Sequence, residues 1–215
     1  MKYSFKQFLS ESITGIQDRH EKKICMQMND TETALGRYIA KNLTLELPDH
    51  PPDDVEKFKV MDIMSKSSEA DINFGILVDS IDGHYNTWAL NVKKFTNNNY
   101  SQEYFYNIGE KVDGLVLYYK KQYGRSRPSQ EGVRHYLPSS TPSYPSGHTT
   151  EAFVFANILS KLHPEHKESF FKLAELISLS RVVLGLHYPS DNEAGKTLAE
   201  FIINHQLVDI ESLKT

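Results

Sequence analysis

The stretch Pro145-Ser146-Gly147-His148 constrains this chain more than any other. Pro145 and Gly147 interrupt any element that arrives there, and residues 149–162 recur with helical period. The stretch therefore opens a helix, with the Gly147 and His148 N–H groups unpaired at its N-terminus. Such a terminus attracts an anion through its free donors and its dipole. Ser146 suits the N-cap and brings a hydroxyl to the same point. His148 adds a group able to donate a proton near neutral pH. On its own this is a generic anion cradle, and the rest of the chain decides what it is for.

The 215 residues suffice for one sizeable core without requiring two domains. The 39% hydrophobic and 24% charged content is that of an ordinary globular protein. A net charge of −4 disfavours a nucleic-acid-binding surface, although a local basic pocket is compatible with it. A single cysteine, Cys25, excludes an intramolecular disulfide and a thiolate metal cluster. No run approaches the roughly eighteen apolar residues of a membrane span. The densest apolar patches, 152–159 and 182–186, are short. No membrane partner is expected, and without an export signal the expected location is cytoplasmic.

The N-terminus places Tyr3 or Phe5, Phe8, Leu9 and Ile13 at helical spacing, as a first helix packed on the core would. It also carries Leu9-Ser10-Glu11 and resembles the leaders of tailed-phage internal capsid proteins, which are cut after a Leu/Ile-x-Glu tripeptide. On that reading residues 1–11 are a leader and the protein is packaged in a virion.

Further helices are expected over 31–43, 55–64, 69–82 (closed by Gly83), 85–95, a long 101–125, 164–184 and 190–204. Pro48, Pro51 and Pro52 break the chain before the second of these, and Pro52-Asp53 suits its start. Arg127-Pro128 ends the long helix, because a residue before proline is steered from the helical region. Residues 138–145 form a Ser/Pro-rich loop into the cradle. The best strand candidate, 43–47, is expected to be minor or absent. The chain reads as all-α, with residues 1–65 an N-terminal helical extension packed on a core of residues 66–215.

Three constellations carry chemistry. Lys120 and Arg127 are seven residues apart, two helical turns and hence one face, with Gly124 between them leaving room for a ligand and Arg125 off the stripe. Lys121 would replace Lys120 if the register slipped. A solvated surface shows such pairs too. Arg181 falls on the apolar stripe of Phe170, Ala174, Ile177 and Leu184, and an inward arginine needs an anion, either a carboxylate or a ligand. His187 sits on a turn before a helix started by Ser190-Asp191-Asn192-Glu193. Asp191 can reach back to His187 Nδ1, which leaves Nε2 as nucleophile or base, unless the pair merely ties the turn.

Lys120-x6-Arg127-Pro128, Pro145-Ser146-Gly147-His148 and Ser180-Arg181-x5-His187-x3-Asp191 resemble the three-part signature of the type 2 phosphatidic acid phosphatase (PAP2) superfamily, which includes vanadium haloperoxidases. All eleven signature positions match in order. The local context is closest to bacterial class A non-specific acid phosphatases, and the resemblance spans about residues 70 to 205. It implies a single-domain helical bundle with the site at one end. It also implies that His187 attacks phosphorus to form a phosphohistidine, that Asp191 orients it, and that His148 protonates the leaving oxygen and then activates water. Lys120, Arg127, Arg181, Ser146 and the Gly147 N–H would hold the phosphoryl oxygens. The chain departs from the class A enzymes in its missing export signal and its first 65 or so residues, which leaves substrate access and homo-oligomer contacts open.

The resemblance therefore implies a soluble phosphatase for small phosphate monoesters, with no metal and no cofactor, inhibited by vanadate, and open to phosphotransferase activity. One alternative is a haloperoxidase with vanadate as cofactor on His187. Another is a non-catalytic anion-binding or capsid-packaged protein, which would need only the cations and not both histidines. His84 and His135 lie near the motifs and read more readily as core or surface histidines than as substrate contacts. Trp88, Tyr104 and Tyr106 read as core or cleft-wall aromatics, and Tyr136 as lining the leaving-group side.

Overall fold

The computed structural model describes residues 45–208. The leader tripeptide and the helix expected over 31–43 lie outside the described residues. Seven α-helices follow in order: α1 (Asp53–Lys66), α2 (Glu69–Asp79), α3 (Ile81–Thr96), α4 (Gln102–Tyr123), α5 (Gly147–Leu162), α6 (Lys167–Val183) and α7 (Pro189–Asn204). Short 3-10 turns occupy Pro128–Glu131 and Pro164–His166. No strand occurs among the described residues, so the 43–47 candidate is absent from its described part. None of these helices is long and apolar enough to cross a membrane.

Helix α5 is the centre of the bundle, packed against α4, α6 and α7. Its sequence explains that position. Ala152, Phe153, Val154, Phe155, Ala156, Ile158 and Leu159 are apolar around most of its circumference, and all are buried. Phe155 meets the rings of Trp88, Phe105 and Tyr85 at centroid separations of 5.7, 5.1 and 6.0 Å, which joins α3 and α4 to α5. The apolar patch over 152–159 is thus the axis of the hydrophobic core.

Four local expectations are corrected. The break between α2 and α3 falls at Ser80 rather than Gly83, because the Ser80 hydroxyl accepts the Gly83 N–H at 3.0 Å and caps α3. Helix α4 ends at Gly124, at φ 57°, three residues before Arg127-Pro128. Lys120 and Arg127 therefore do not share a helical face, and Gly124 is a helix stop rather than a ligand gap. Helix α7 starts at Pro189, not at Ser190, and Asp191 Oδ2 accepts the Tyr188 N–H at 2.8 Å from the third helical position. Finally, Ser146 occupies the N-cap of α5 but its side chain caps nothing. Its hydroxyl instead accepts from Thr149 Oγ1 at 2.9 Å.

Candidate active site

A cavity of about 480 Å³ opens where the N-termini of α3 and α5 meet the C-terminal parts of α4 and α6. Lys120, Arg127, Gly147, His148, Arg181 and His187 all line it. Ser146 and Asp191 stand behind the wall, each fully buried.

The two cations from the α4 region arrive by different routes. Lys120 is buried on the last turn of α4, whereas Lys121 is exposed, which fixes the register. The Lys120 ammonium donates to the carbonyls of Pro142 and Ser143 at 2.5 and 3.3 Å. Arg127 lies on the non-helical stretch after Gly124. It donates to the Thr141 carbonyl at 2.7 Å, the Thr141 hydroxyl at 3.0 Å and the Leu186 carbonyl at 2.7 Å. The Ser/Pro-rich loop thus contributes carbonyls that pin the cations, and it forms part of the cavity wall.

Arg127 Nη1 also lies 3.2 Å from His187 Nε2. A guanidinium has only donors, so His187 Nε2 must present its lone pair. The ring proton then sits on Nδ1, which donates to Asp191 Oδ2 at 3.1 Å. Burial, then the charges of Arg127, Lys120 and Arg181, hold the His187 pKa well below its ordinary 6.5. Lys120 is likewise pushed well below 10.5 by burial and then by Arg127.

Arg181 is 3% exposed and faces inward. Its Nη2 binds Asp79 Oδ1 at 2.5 Å, so a buried ion pair is part of its environment. Its Nε and Nη1, however, are buried without any hydrogen-bond partner. Such donors are rare in a folded protein and mark a place where an acceptor is expected. His148 is held from the same residue: its Nε2 lies 3.0 Å from the Asp79 carbonyl, and a carbonyl can only accept, so Nε2 carries a proton.

Behind His187 stands a network that the sequence did not disclose. Arg125, read as lying off the functional stripe, is 4% exposed. Its guanidinium binds Asp191 Oδ1 at 2.7 Å, Asp53 Oδ1 at 2.8 Å and Glu56 Oε2 at 2.9 Å, and lies 4.1 Å from the Tyr188 ring centroid. Ser190 donates its hydroxyl to Glu56 as well. The extension assigned to residues 1–65 therefore supplies, through α1, two carboxylates that support the site. Only the i, i+3 spacing of Asp53 and Glu56 on one helix face hinted at a shared partner.

Other histidines and aromatics sort as follows. His135 is exposed, and Tyr136 packs with Leu137, Leu184 and Leu186 and is not among the residues that line the cavity. Trp88 and Tyr104 are core residues, and Tyr106 lines the cavity. His84 does line the cavity, beside His148, with ring centroids 5.2 Å apart. Glu151, not singled out from sequence, lines it too; an acid three residues after His148, directly before the apolar run 152–156, was the available signal. Among the described residues no group of three or more His, Cys, Asp or Glu side chains is arranged to hold a metal ion.

Residues 104–209 match the family model described as PAP2 superfamily. A lipid A 1-phosphatase of Rhizobium johnstonii is 35% identical over 83 residues, covering 35% of this chain and 34% of that protein. An acid phosphatase of Zymomonas mobilis is 42% identical over 57 residues, covering 26% and 22%. A non-specific acid phosphatase of Providencia stuartii is 38% identical over 61 residues, covering 28% and 25%. The matches span about a quarter to a third of these relatives. Among solved structures, a transmembrane PAP2-type phosphatidylglycerolphosphate phosphatase from Bacillus subtilis superposes at a TM-score of 0.50 and 17% identity, over 86% of this chain and 95% of that one. A bacterial vanadium-dependent iodoperoxidase superposes at 0.52 and 17%, over 75% and 51%. These two show the fold. The family match begins at residue 104, so Asp53, Glu56, Asp79 and His84 come from helices ahead of it.

Replacing Arg125 with leucine removes the guanidinium that ion-pairs with the buried Asp191 and Glu56 carboxylates. The expected loss is about 3–5 kcal/mol of unfolding free energy. Urea denaturation of wild type and variant measures it, and a loss under about 1 kcal/mol would contradict the network described.

Proposed function

We propose, from the match of residues 104–209 to the PAP2 superfamily model, that the protein is a phosphatase that hydrolyses small phosphate monoesters through a phosphohistidine on His187, without a metal ion. The observation that carries the proposal is the meeting of two features in one cavity. The buried Arg181 donors have no acceptor, and the His187 Nε2 lone pair opens beside the Arg127 guanidinium. A tetrahedral oxyanion supplies acceptors for the first and an electrophilic centre for the second.

In the proposed first step, Nε2 of His187 bonds to phosphorus and the bond from phosphorus to the leaving oxygen breaks. His148 gives that oxygen a proton. Asp191 accepts the Nδ1–H throughout and stabilises the charge that the ring acquires. In the second step His148 takes a proton from water, whose oxygen bonds to phosphorus as the N–P bond breaks. Phosphate leaves and His187 regains its lone pair. Lys120, Arg127, Arg181 and the Gly147 N–H stabilise the equatorial oxygens as charge develops. Vanadate, as a phosphate mimic, is expected to compete for the same cradle.

Purified protein is expected to hydrolyse p-nitrophenyl phosphate in the presence of a chelator, and His187→Ala to lose about a thousandfold or more in kcat. No turnover by wild type, or undiminished turnover by the variant, contradicts the proposal.

The pH profile follows from the two depressed groups. His187 stays neutral down to a pH well below 6.5, so the acid limb of kcat/KM that reports it lies below that value. Lys120 loses its charge as pH rises, and does so below 10.5, so it contributes to the alkaline limb beside the proton that His148 must supply. Arginine does not titrate in this range, so Lys120→Arg is expected to move the alkaline limb upward. An alkaline limb that stays in place assigns it to another group.

A further inference from the structure

The cavity is far larger than a phosphoryl group needs. At about 480 Å³ it lies within the usual range for pockets that enclose a whole small molecule. Its α3 and α5 wall carries polar side chains that phosphate chemistry does not use. His84 is 1% exposed, and neither of its ring nitrogens has a hydrogen-bond partner. Its Nε2 is 3.6 Å from Glu151 Oε2, beyond hydrogen-bond length. Glu151 is 6% exposed and accepts the Tyr85 hydroxyl on Oε1 at 2.8 Å. The pair is built in: a Cβ at Gly109 of α4 would come within 2.0 Å of the Tyr85 hydroxyl oxygen and 2.6 Å of Glu151 Oε1.

We propose that this wall is a hydroxyl-recognising subsite, in which Glu151 and His84 hold an alcohol group of the leaving portion, so that the preferred substrates are phosphate monoesters of polyols. The inference rests on the phosphatase reading above. Position supports it, since Glu151 lies one helical turn after His148 on α5 and the His84 ring stands edge-on to His148. A leaving oxygen protonated by His148 therefore departs along this wall.

Chemistry selects an alcohol over an ammonium. Burial, then the charge of Arg181, lowers the His84 pKa to about 3, so its ring is neutral, with one donor and one acceptor. Burial, then the nearby Asp113, raises Glu151 well above the ordinary carboxylate value, which favours a carboxylic acid able to give and take a hydrogen bond. An alcohol both gives and takes. An ammonium only gives, so it would leave the donors of the neutral His84 ring and of the Glu151 carboxylic acid without an acceptor.

The test compares kcat/KM for glycerol 1-phosphate and n-propyl phosphate, which match in size and differ in hydroxyls. Wild type is expected to favour glycerol 1-phosphate by about tenfold or more, because the polar wall is left unpaired by the propyl group. In Glu151→Leu and His84→Phe the ratio is expected to fall toward one. Glu151→Gln, which keeps a donor and an acceptor, is expected to restore it to within about threefold of wild type. A wild-type ratio near one overturns the subsite without recourse to any variant, and so does a wild-type preference that survives in both Glu151→Leu and His84→Phe. Turnover of p-nitrophenyl phosphate with an equal rate on the two esters leaves the phosphatase reading intact and removes only the subsite. Turnover of none of the three overturns both.

Discussion

The structure depends on one buried carboxylate. Asp191 is fully buried and joins three parts of the chain: the Arg125 guanidinium, the His187 ring and the Tyr188 N–H at the start of α7. Burial alone drives its pKa upward, with Arg125 the largest opposing influence. That arginine does most to offset the burial of the charge, ahead of the Tyr188 N–H, Lys120 and Arg127, and it is in turn held by Asp53 and Glu56 of α1. A ladder of alternating charges thus runs from the first described helix to the imidazole at the cavity. The Ser146 N–H donates to the Asp191 carbonyl at 3.0 Å, so the start of α5 is fixed to the same residue. The orientation of His187 and the place of the cradle are set together.

The cavity gathers its three cations around His187, while Asp79, Asp82 and Asp113 line other parts of it. Lys120, Arg127 and Arg181 are each buried and act on the same histidine, and Lys120 and His187 are both pushed toward their neutral forms. Backbone carbonyls of the 141–143 loop and of Leu186 satisfy donors on Lys120 and Arg127 without cancelling charge. Asp79 cancels part of it at Arg181. An arriving oxyanion therefore relieves repulsion already present, which is the sense in which the fold is prepared for it.

Much of this was legible in the sequence. The helical periods of α5 and α6 and the spacing of His187 and Asp191 concern contacts within one helix or across one turn, where sequence distance predicts spatial distance. The same logic failed at Lys120 and Arg127, where a left-handed Gly124 ends the helix first and the two cations converge through the loop instead. Arg125, Asp79 and Glu56 were missed because their partners lie 66, 102 and 69 residues away, and no local pattern encodes a pairing at that range. Ser146 was placed at the right position, yet Thr149 takes up its hydroxyl, a choice that depends on packing against Ser178 and Asn192.

The account turns on His187 Nε2 as the atom that bonds to phosphorus. Rapid alkaline quenching of the protein during turnover of a phosphate monoester, followed by peptide mapping by mass spectrometry, tests this most directly. A phosphoryl group on His187 is the result expected. A phosphoryl group on His148 or another residue, or none at any point in a turnover that proceeds at full rate, would contradict it.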